Sequence, residues 1–320
     1  MKKIFLLLLI LCHQIGFSAT TEDPISGFTF QKMLIESYDD FCDACGCSAS
    51  GGSMGFSSML NSNFVGIRYF YQSYSSQDGI FANSPWVDEH FNTLQLWSKI
   101  PVTEQLQLSL LVPYQFHNRE RTTGNESIKG LGDITLMGLY TIYKTHKDST
   151  LLIHKLQLGG GVKMPTGKFN ETNNAGNINQ SFQVGTGSWD FLLATEYILK
   201  KGKLGLHTMA NYTVKTENKK QYQFGNQFNY GSTLFYLFDT SAVQFVPQLG
   251  IAGEVYATNK QYGLNLPNTP GDVLFSKLGL ELGKDNFSLG INAMLPINQH
   301  LANSKMEANY RWSINLNYSL

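Results

Sequence analysis

The chain has 320 residues, with 24 Lys and Arg balanced by 24 Asp and Glu, and a mean hydropathy of −0.17. Charged residues make up 15% of it, below the ~25% of an average soluble protein, and the zero net charge leaves no basic excess for a nucleic-acid surface. Four cysteines in this length are too few for a disulfide scaffold.

The first residues carry the pattern of a secretory signal peptide. Two positively charged lysines near the N-terminus precede an unbroken apolar run from Ile4 to Cys12. The residues that follow, up to Ala19, are mostly small or mildly polar. The apolar run is far shorter than the ~20 residues that cross a membrane as a helix. We therefore predict that residues 1–19 are a signal peptide that directs export.

The next stretch, residues 20–62, is polar and rich in Gly and Ser, and we predict an irregular segment on the periplasmic side. It holds Cys42, Cys45 and Cys47 within six residues. Three thiols are an odd number in an oxidising compartment, so one interpretation is a single disulfide with one thiol left over. The other is a metal site, in which the thiolates bind a soft ion such as copper or zinc. Zinc is the weaker case because the second Cys pair of a four-cysteine site is absent, and no other cofactor is predicted.

From residue 63 onward, apolar residues recur with a period of two, which is typical of strands. Leu106, Leu108 and Leu110 form the clearest row, with polar residues between them. We predict twelve strands of 11 to 15 residues, near residues 63–74, 90–100, 104–116, 132–143, 151–164, 188–199, 203–214, 223–237, 242–256, 273–283, 286–296 and 308–320. Such lengths suit membrane strands of about 9–11 residues better than soluble strands of about 5–6.

The connections between these strands alternate in length. Links after even-numbered strands are short and those after odd-numbered strands are mostly longer, which is the pattern of outer-membrane barrels. The predicted fold is therefore all-β, a transmembrane antiparallel up-and-down β-barrel of about 12 strands over residues 63–320. An even strand number places both termini on the periplasmic side.

The last strand alternates up to the final residue, with Trp312, Ile314, Leu316, Tyr318 and Leu320 on one face. It resembles the C-terminal strand through which the barrel-insertion machinery recognises its substrates, with Leu320 where Phe is frequent. The expected partners are therefore this machinery, outer-membrane lipid and small solutes, with no nucleic acid.

Three glycine-rich motifs lie where long strands meet long loops: Gly-Leu-Gly-Asp at 130–133, Gly-Val-Lys-Met-Pro-Thr-Gly-Lys at 161–168 and Gly-Thr-Gly-Ser-Trp-Asp at 185–190. Taken alone, they favour bends and strand ends over a ligand site, because Gly permits tight bends and Pro165 ends a ladder. Their order and spacing resemble the outer-membrane transporter family named after the meta-pathway of phenol degradation. The resemblance implies a barrel and transport rather than an enzyme acting on phenol. Some related exported barrels carry a similar Cys-x-x-Cys-Gly-Cys segment before the first strand.

In a barrel the apolar row of each strand faces lipid and the other row faces the lumen. The predicted lumen-lining residues mix amides with both signs of charge and form no strong ion filter; they are Arg68, Gln105, Gln107, Lys155, Gln157, Lys163, His207, Asn211, Gln244, Gln248, Glu254, Lys277 and Glu281.

The sequence therefore predicts a transporter or channel for small solutes in the outer membrane of a Gram-negative bacterium, with a metal link through the cysteine segment. The alternative is a non-transporting barrel with an occluded lumen that acts as a binding or structural protein. No catalytic constellation is found, and no enzymatic activity is expected.

Overall fold

The structure is a computed structural model that describes residues 58–77, 84–121, 124–145, 152–173, 176–240 and 242–320. The signal peptide at 1–19, the three cysteines and all but the end of the 20–62 segment lie outside these residues, so the division into three parts remains a prediction. Within the described ranges, no helix is long and apolar enough to cross a membrane.

The predicted all-β fold is confirmed: twelve antiparallel strands form one closed barrel. Each strand pairs with its neighbours in sequence, and the first strand pairs with the last from Phe64 opposite Ser319 to Ser76 opposite Met306. The strands are β1 (Phe64–Gln77), β2 (Trp86–Pro101), β3 (Leu106–Arg121), β4 (Ile134–Lys144), β5 (Ile153–Met164), β6 (Asp190–Lys201), β7 (Leu204–Lys215), β8 (Gln227–Tyr236), β9 (Gln244–Tyr256), β10 (Gly271–Lys284), β11 (Phe287–Leu301) and β12 (Met306–Ser319).

The alternation along each strand sorts side chains between the outer surface and the interior. In β3, Leu108 and Tyr114 are exposed on the outside, whereas Gln107, Ser109 and Gln115 are buried inside. Successive strand residues point to opposite faces of a sheet, so one sequence pattern provides both an apolar outer band and a polar interior. Apolar residues thus lie outside and polar residues inside, the reverse of a soluble protein, as a lipid environment requires.

The two ends of the barrel differ, and we call them the turn end and the loop end. At the turn end, β6 and β7 are joined through Gly202 and Lys203 alone, and Gly202 takes the left-handed φ of 59° that such a tight hairpin needs. At the loop end lie the longer connections, including residues 165–189 between β5 and β6, which we call the inward loop.

The strand predictions differ most from the structure at the loop end of β2 and β3. The stretch 117–131 was predicted as a loop, but β3 continues to Arg121 and a further strand, Gly124–Leu131, pairs back onto it with Ile128 opposite His117. We call this strand the arm. Both faces of this extension carry polar residues, so the apolar alternation that marks the membrane strands ends before the hydrogen-bonded ladder does.

We expect Leu278→Arg to destabilise the barrel. Leu278 lies midway along β10, is exposed on the outer face and lies beside Leu249 of β9. A charged side chain on the lipid face at mid-depth costs about 2–4 kcal/mol. The measurement is the free energy of unfolding from lipid vesicles in urea. Leu264→Arg, in an exposed loop position, is the control and should leave stability unchanged; an equal loss there would contradict a lipid-facing role for Leu278.

Candidate functional site in the barrel lumen

The predicted lumen residues fall into three groups by burial. Lys155 and Gln244 are half-buried near the turn end. Gln105 is a correction: it is exposed in the turn before β3 and accepts a hydrogen bond from Tyr140, an exposed residue of the outer face. The reason is that β3 begins at Leu106, two residues later than predicted, so Gln105 lies outside the alternation. The others are buried: Arg68, Gln107, Gln157, Lys163, His207, Asn211, Gln248, Glu254, Lys277 and Glu281.

At the turn end, a cavity of about 160 Å³ opens between the wall and residues 58–62. Glu196 is its acidic residue, and Lys99 Nζ lies 2.8 Å from both carboxylate oxygens. His207 Nε2 lies 3.7 Å from the same carboxylate. Deeper in the cavity, Gln157 Nε2 donates to Gln107 Oε1 at 2.8 Å. The predicted residues Lys155, Gln157, Gln107 and His207 therefore meet at one place.

The floor of this cavity is held by a carboxylate from the opposite wall. Glu281 accepts hydrogen bonds from the backbone N–H of Met59 at 2.7 Å and of Leu60 at 3.1 Å, and from Ser58 Oγ at 2.5 Å. Hydrogen bonds to an ionised acceptor are stronger than neutral ones. The chain just before β1 is thus fixed across the barrel opening by a residue of β10.

In the middle of the lumen, buried cations lie against aromatic rings and amides. The Arg68 guanidinium lies 4.4 Å from the Trp97 ring centroid and donates to Gln95. Lys277 Nζ donates to Thr233 Oγ1 at 3.2 Å. Further around the wall, Asn229 Nδ2 donates to Asn211 Oδ1 at 2.8 Å. These contacts partly replace the hydration that each buried polar group has lost.

Closer to the loop end, Arg311 and Glu254 form a buried two-point ion pair. Arg311 Nη1 and Nη2 lie 2.6 and 2.8 Å from the two carboxylate oxygens. Tyr256 donates to Glu254, Arg311 donates to the Tyr74 hydroxyl, and the guanidinium lies 4.3 Å from the Phe275 ring centroid. Sequence analysis missed Arg311, although it alternates with the lipid-facing Trp312 that was assigned to the outer row.

The three glycine-rich motifs come together around Lys163. Its Nζ lies 3.3 Å from Asp133 and 2.5 Å from Asp190, and donates to Thr186 Oγ1 at 2.9 Å. Asp133 also accepts from the backbone N–H of Gly167 at 3.0 Å and of Thr186 at 2.9 Å. All four side chains that meet here are buried. We call this group the Lys163 anchor, because it ties both ends of the inward loop to the wall.

The glycines of these motifs let the two ends of the inward loop touch. A Cβ on Gly185 would lie 2.5 Å from the carbonyl of Gly167, too close for any side chain. The Gly185 N–H donates to the Lys168 carbonyl at 2.9 Å. The interpretation of the motifs as bends is therefore incomplete, since Asp133, Lys163 and Asp190 add an electrostatic anchor that sequence analysis did not foresee. The signal available was that two of the motifs end in Asp.

The anchored loop places apolar residues inside the barrel. Phe182 is fully buried, its ring centroid lies 5.8 Å from that of Phe91, and Arg119 lies 4.5 Å from its ring centroid. Arg119 in turn pairs with Glu126 of the arm at 2.5 Å and with Glu89 at 3.5 Å. The buried apolar residues of this region, which we call the apolar layer, are Tyr74, Phe91, Ile128, Ile178, Phe182, Val184, Ala252, Tyr256, Val273, Phe275, Met294, Leu301, Ala302, Met306 and Ala308.

The predicted metal site cannot be placed on the structure, because Cys42, Cys45 and Cys47 lie outside the described residues. Among the residues that are described, no group of three His, Cys, Asp or Glu side chains could hold a metal ion. Copper or zinc at the cysteine segment therefore remains a prediction.

We expect Lys163→Met to release the inward loop. The substitution leaves Asp133 and Asp190 buried without their cation, and breaking one partner of a buried ion pair costs about 3–5 kcal/mol. Limited chymotrypsin digestion of the folded protein should then cut at Phe182, and the unfolding temperature should fall. Lys168→Met removes the same charge from an exposed pair with Glu171 and should change neither. If both variants resist digestion equally, the anchor does not hold the loop.

We also expect Glu281→Gln to loosen the chain before β1. Each charge-assisted bond is worth about 1.5–3 kcal/mol, so amide hydrogen exchange at Met59 and Leu60 should accelerate by about tenfold or more. Glu307→Gln, at an exposed position of β12, is the matched control. Unchanged exchange in the Glu281 variant would show that the amides are held by something else.

Comparison with known proteins identifies relatives of the chain. Among solved structures, it matches an outer-membrane channel from Pseudomonas putida F1 with a TM-score of 0.59 and 14% identity, over 82% of this chain and 98% of that one. A lower TM-score of 0.46 is found for the transport unit of the autotransporter AIDA-I from Escherichia coli, with 10% identity over 88% of this chain and 100% of that one. A Pseudomonas aeruginosa FadL homologue gives a TM-score of 0.38, with 8% identity over 80% of this chain and 90% of that one. The match to the channel supports the barrel fold.

A search of curated proteins finds no match. The family model described as "Putative MetA-pathway of phenol degradation" matches residues 88–263. This range covers more than half of the 320 residues and contains all three glycine-rich motifs, including every residue of the Lys163 anchor. The chain therefore belongs to this family, as the resemblance of the motifs predicted.

Proposed function

We propose that this protein is an outer-membrane channel for small, largely apolar solutes, and that the inward loop forms its constriction. The observation that carries the proposal is the apolar layer. Beside the ion pairs of the loop end, aromatic and aliphatic side chains of the loop and the wall form one buried cluster. A binding or transport site for a small molecule is typically an apolar surface with a few placed polar groups.

The ion pairs near the apolar layer support passage of a neutral solute, rather than an ion, at that part of the lumen. Arg311 is paired with Glu254, Lys163 with two aspartates, and Arg119 with two glutamates. Ion selectivity needs a ring of charges of one sign along the path. Because wall partners neutralise these three cations, they position side chains and do not form such a ring.

The orientation follows from the two ends of the barrel. Outer-membrane barrels carry short turns on the periplasmic side and long loops outside. On this basis the turn end and residues 58–62 face the periplasm, and the inward loop enters the lumen from the cell exterior. The proposal includes export by the signal peptide and insertion into the outer membrane of a Gram-negative bacterium through the C-terminal strand.

A direct test is the uptake of labelled naphthalene by Gram-negative cells whose lipopolysaccharide leaflet is intact. Cells that produce the full chain should take it up faster than cells with an empty vector. Phe182→Asn should slow uptake by about tenfold, because losing roughly 1.4 kcal/mol of apolar burial corresponds to that factor. Initial rates are measured at equal amounts of folded barrel in the membrane.

The matched control is Phe287→Asn, which changes the same residue type on the outer face near the turn end and should leave uptake unchanged. Uptake that equals the vector, with the barrel folded, would overturn the proposal in favour of an occluded barrel that binds rather than transports. Equal slowing by both variants would show that the apolar layer is not on the path.

A further inference from the structure

The turn-end cavity has a charge balance that differs from that around Arg311 and Lys163. Among the described residues that line it, three lysines, Lys99, Lys155 and Lys200, face one carboxylate, that of Glu196. Around Arg311 and Lys163, in contrast, the buried cations lie against matching carboxylates. Among its described lining residues, the cavity therefore holds more lysines than carboxylates.

The one carboxylate is already engaged. Lys99 contacts both oxygens of Glu196, and His207 approaches the same group. Within the described part of the chain, neither Lys155 nor Lys200 has a carboxylate within ion-pairing distance. Lys155 Nζ reaches only the Gln107 amide oxygen at 3.5 Å, and Lys200 Nζ lies 5.5 Å from the Phe235 ring centroid. Both lysines are half-buried, so water screens their charges less than on an open surface.

The remaining lining of the cavity is apolar on one side. Phe235 is buried and lies over Gly205, where a Cβ would stand 2.1 Å from its ring, and Ile198 and Leu60 complete this surface. A cavity of about 160 Å³ has room for a single small ring. The cavity thus offers two ammonium groups and an aromatic face, with the Lys200 ammonium next to that face.

We propose that the turn-end cavity is a binding site for a small amphiphilic carboxylate, with Lys155 and Lys200 holding the carboxylate and Phe235 and Ile198 covering the apolar body. An ammonium–carboxylate hydrogen bond is roughly twice as strong as a neutral one. The site is separate from the apolar layer, and its occupation does not depend on whether the barrel transports.

Isothermal titration of benzoate into the full chain, folded in detergent, tests this site without any flux measurement. Benzoate should bind with a stoichiometry of one, and Lys155→Gln and Lys200→Gln should each weaken binding by about tenfold, because each removes a charge-assisted hydrogen bond. Lys284→Gln removes a charge from an exposed position at the same end of the barrel and should leave the affinity unchanged. Benzyl alcohol, which has the ring without the charge, should bind more weakly and respond to none of the three substitutions.

Three results would overturn the proposal: no heat of benzoate binding to the folded barrel, an equal loss in the Lys284 variant, or phosphate binding as tightly as benzoate. The last result would mean that the apolar wall of the cavity takes no part. Because binding is read in detergent and uptake in cells, a failure here is distinguishable from a failure of the proposed channel.

Discussion

The structure depends first on the need to pair every backbone N–H and C=O group in a solvent that offers no hydrogen bonds. In lipid an open sheet edge leaves these groups unpaired at a cost of several kcal/mol each, so a chain of strands must close on itself. Here closure is the long ladder between β1 and β12. Once the barrel is closed, the outer face can be apolar, and the polar residues that alternate along every strand must point into the interior.

The interior then poses the opposite problem. A barrel of twelve strands lies between the eight whose interior side chains fill and the sixteen that hold an aqueous channel, so inward polar groups must find partners in a limited space. Pairs such as Arg311 with Glu254 offset the loss of hydration on the wall itself. The Lys163 anchor applies the same principle to the inward loop, where one buried cation between two aspartates holds a chain segment inside the barrel. Ion pairing thus helps to organise the lumen, alongside the packing of the apolar layer.

The barrel was predictable from the sequence because its signal is local. An apolar residue such as Leu108 and its polar neighbour Gln107 identify a strand and its two faces without any distant contact, and the strand count followed from this alternation. The contents of the lumen were less accessible. The partners of Lys163 lie in other motifs. In the sequence, Phe182 is indistinguishable from an ordinary loop residue, and only the contacts of the Lys163 anchor show that it lies inside the barrel. The arm was missed because polar residues, such as Asn118 and Glu126, occupy both faces of this region. Hydrogen bonding between the two strands therefore continues beyond the end of the apolar alternation.

The two ends of the lumen are suited to different parts of a solute. At the loop end, burial beside Phe182 and Phe91 favours a molecule that sheds little hydration on entry, because an unpaired polar group would be costly there. At the turn end, the lysines beside Phe235 favour a molecule that carries one negative charge next to an apolar body. We propose the two roles independently: a neutral solute would interact with the apolar layer alone, whereas an amphiphilic carboxylate would also be held by the lysines of the turn-end cavity. A site that makes only one kind of contact stays weak enough for release, which conduction requires.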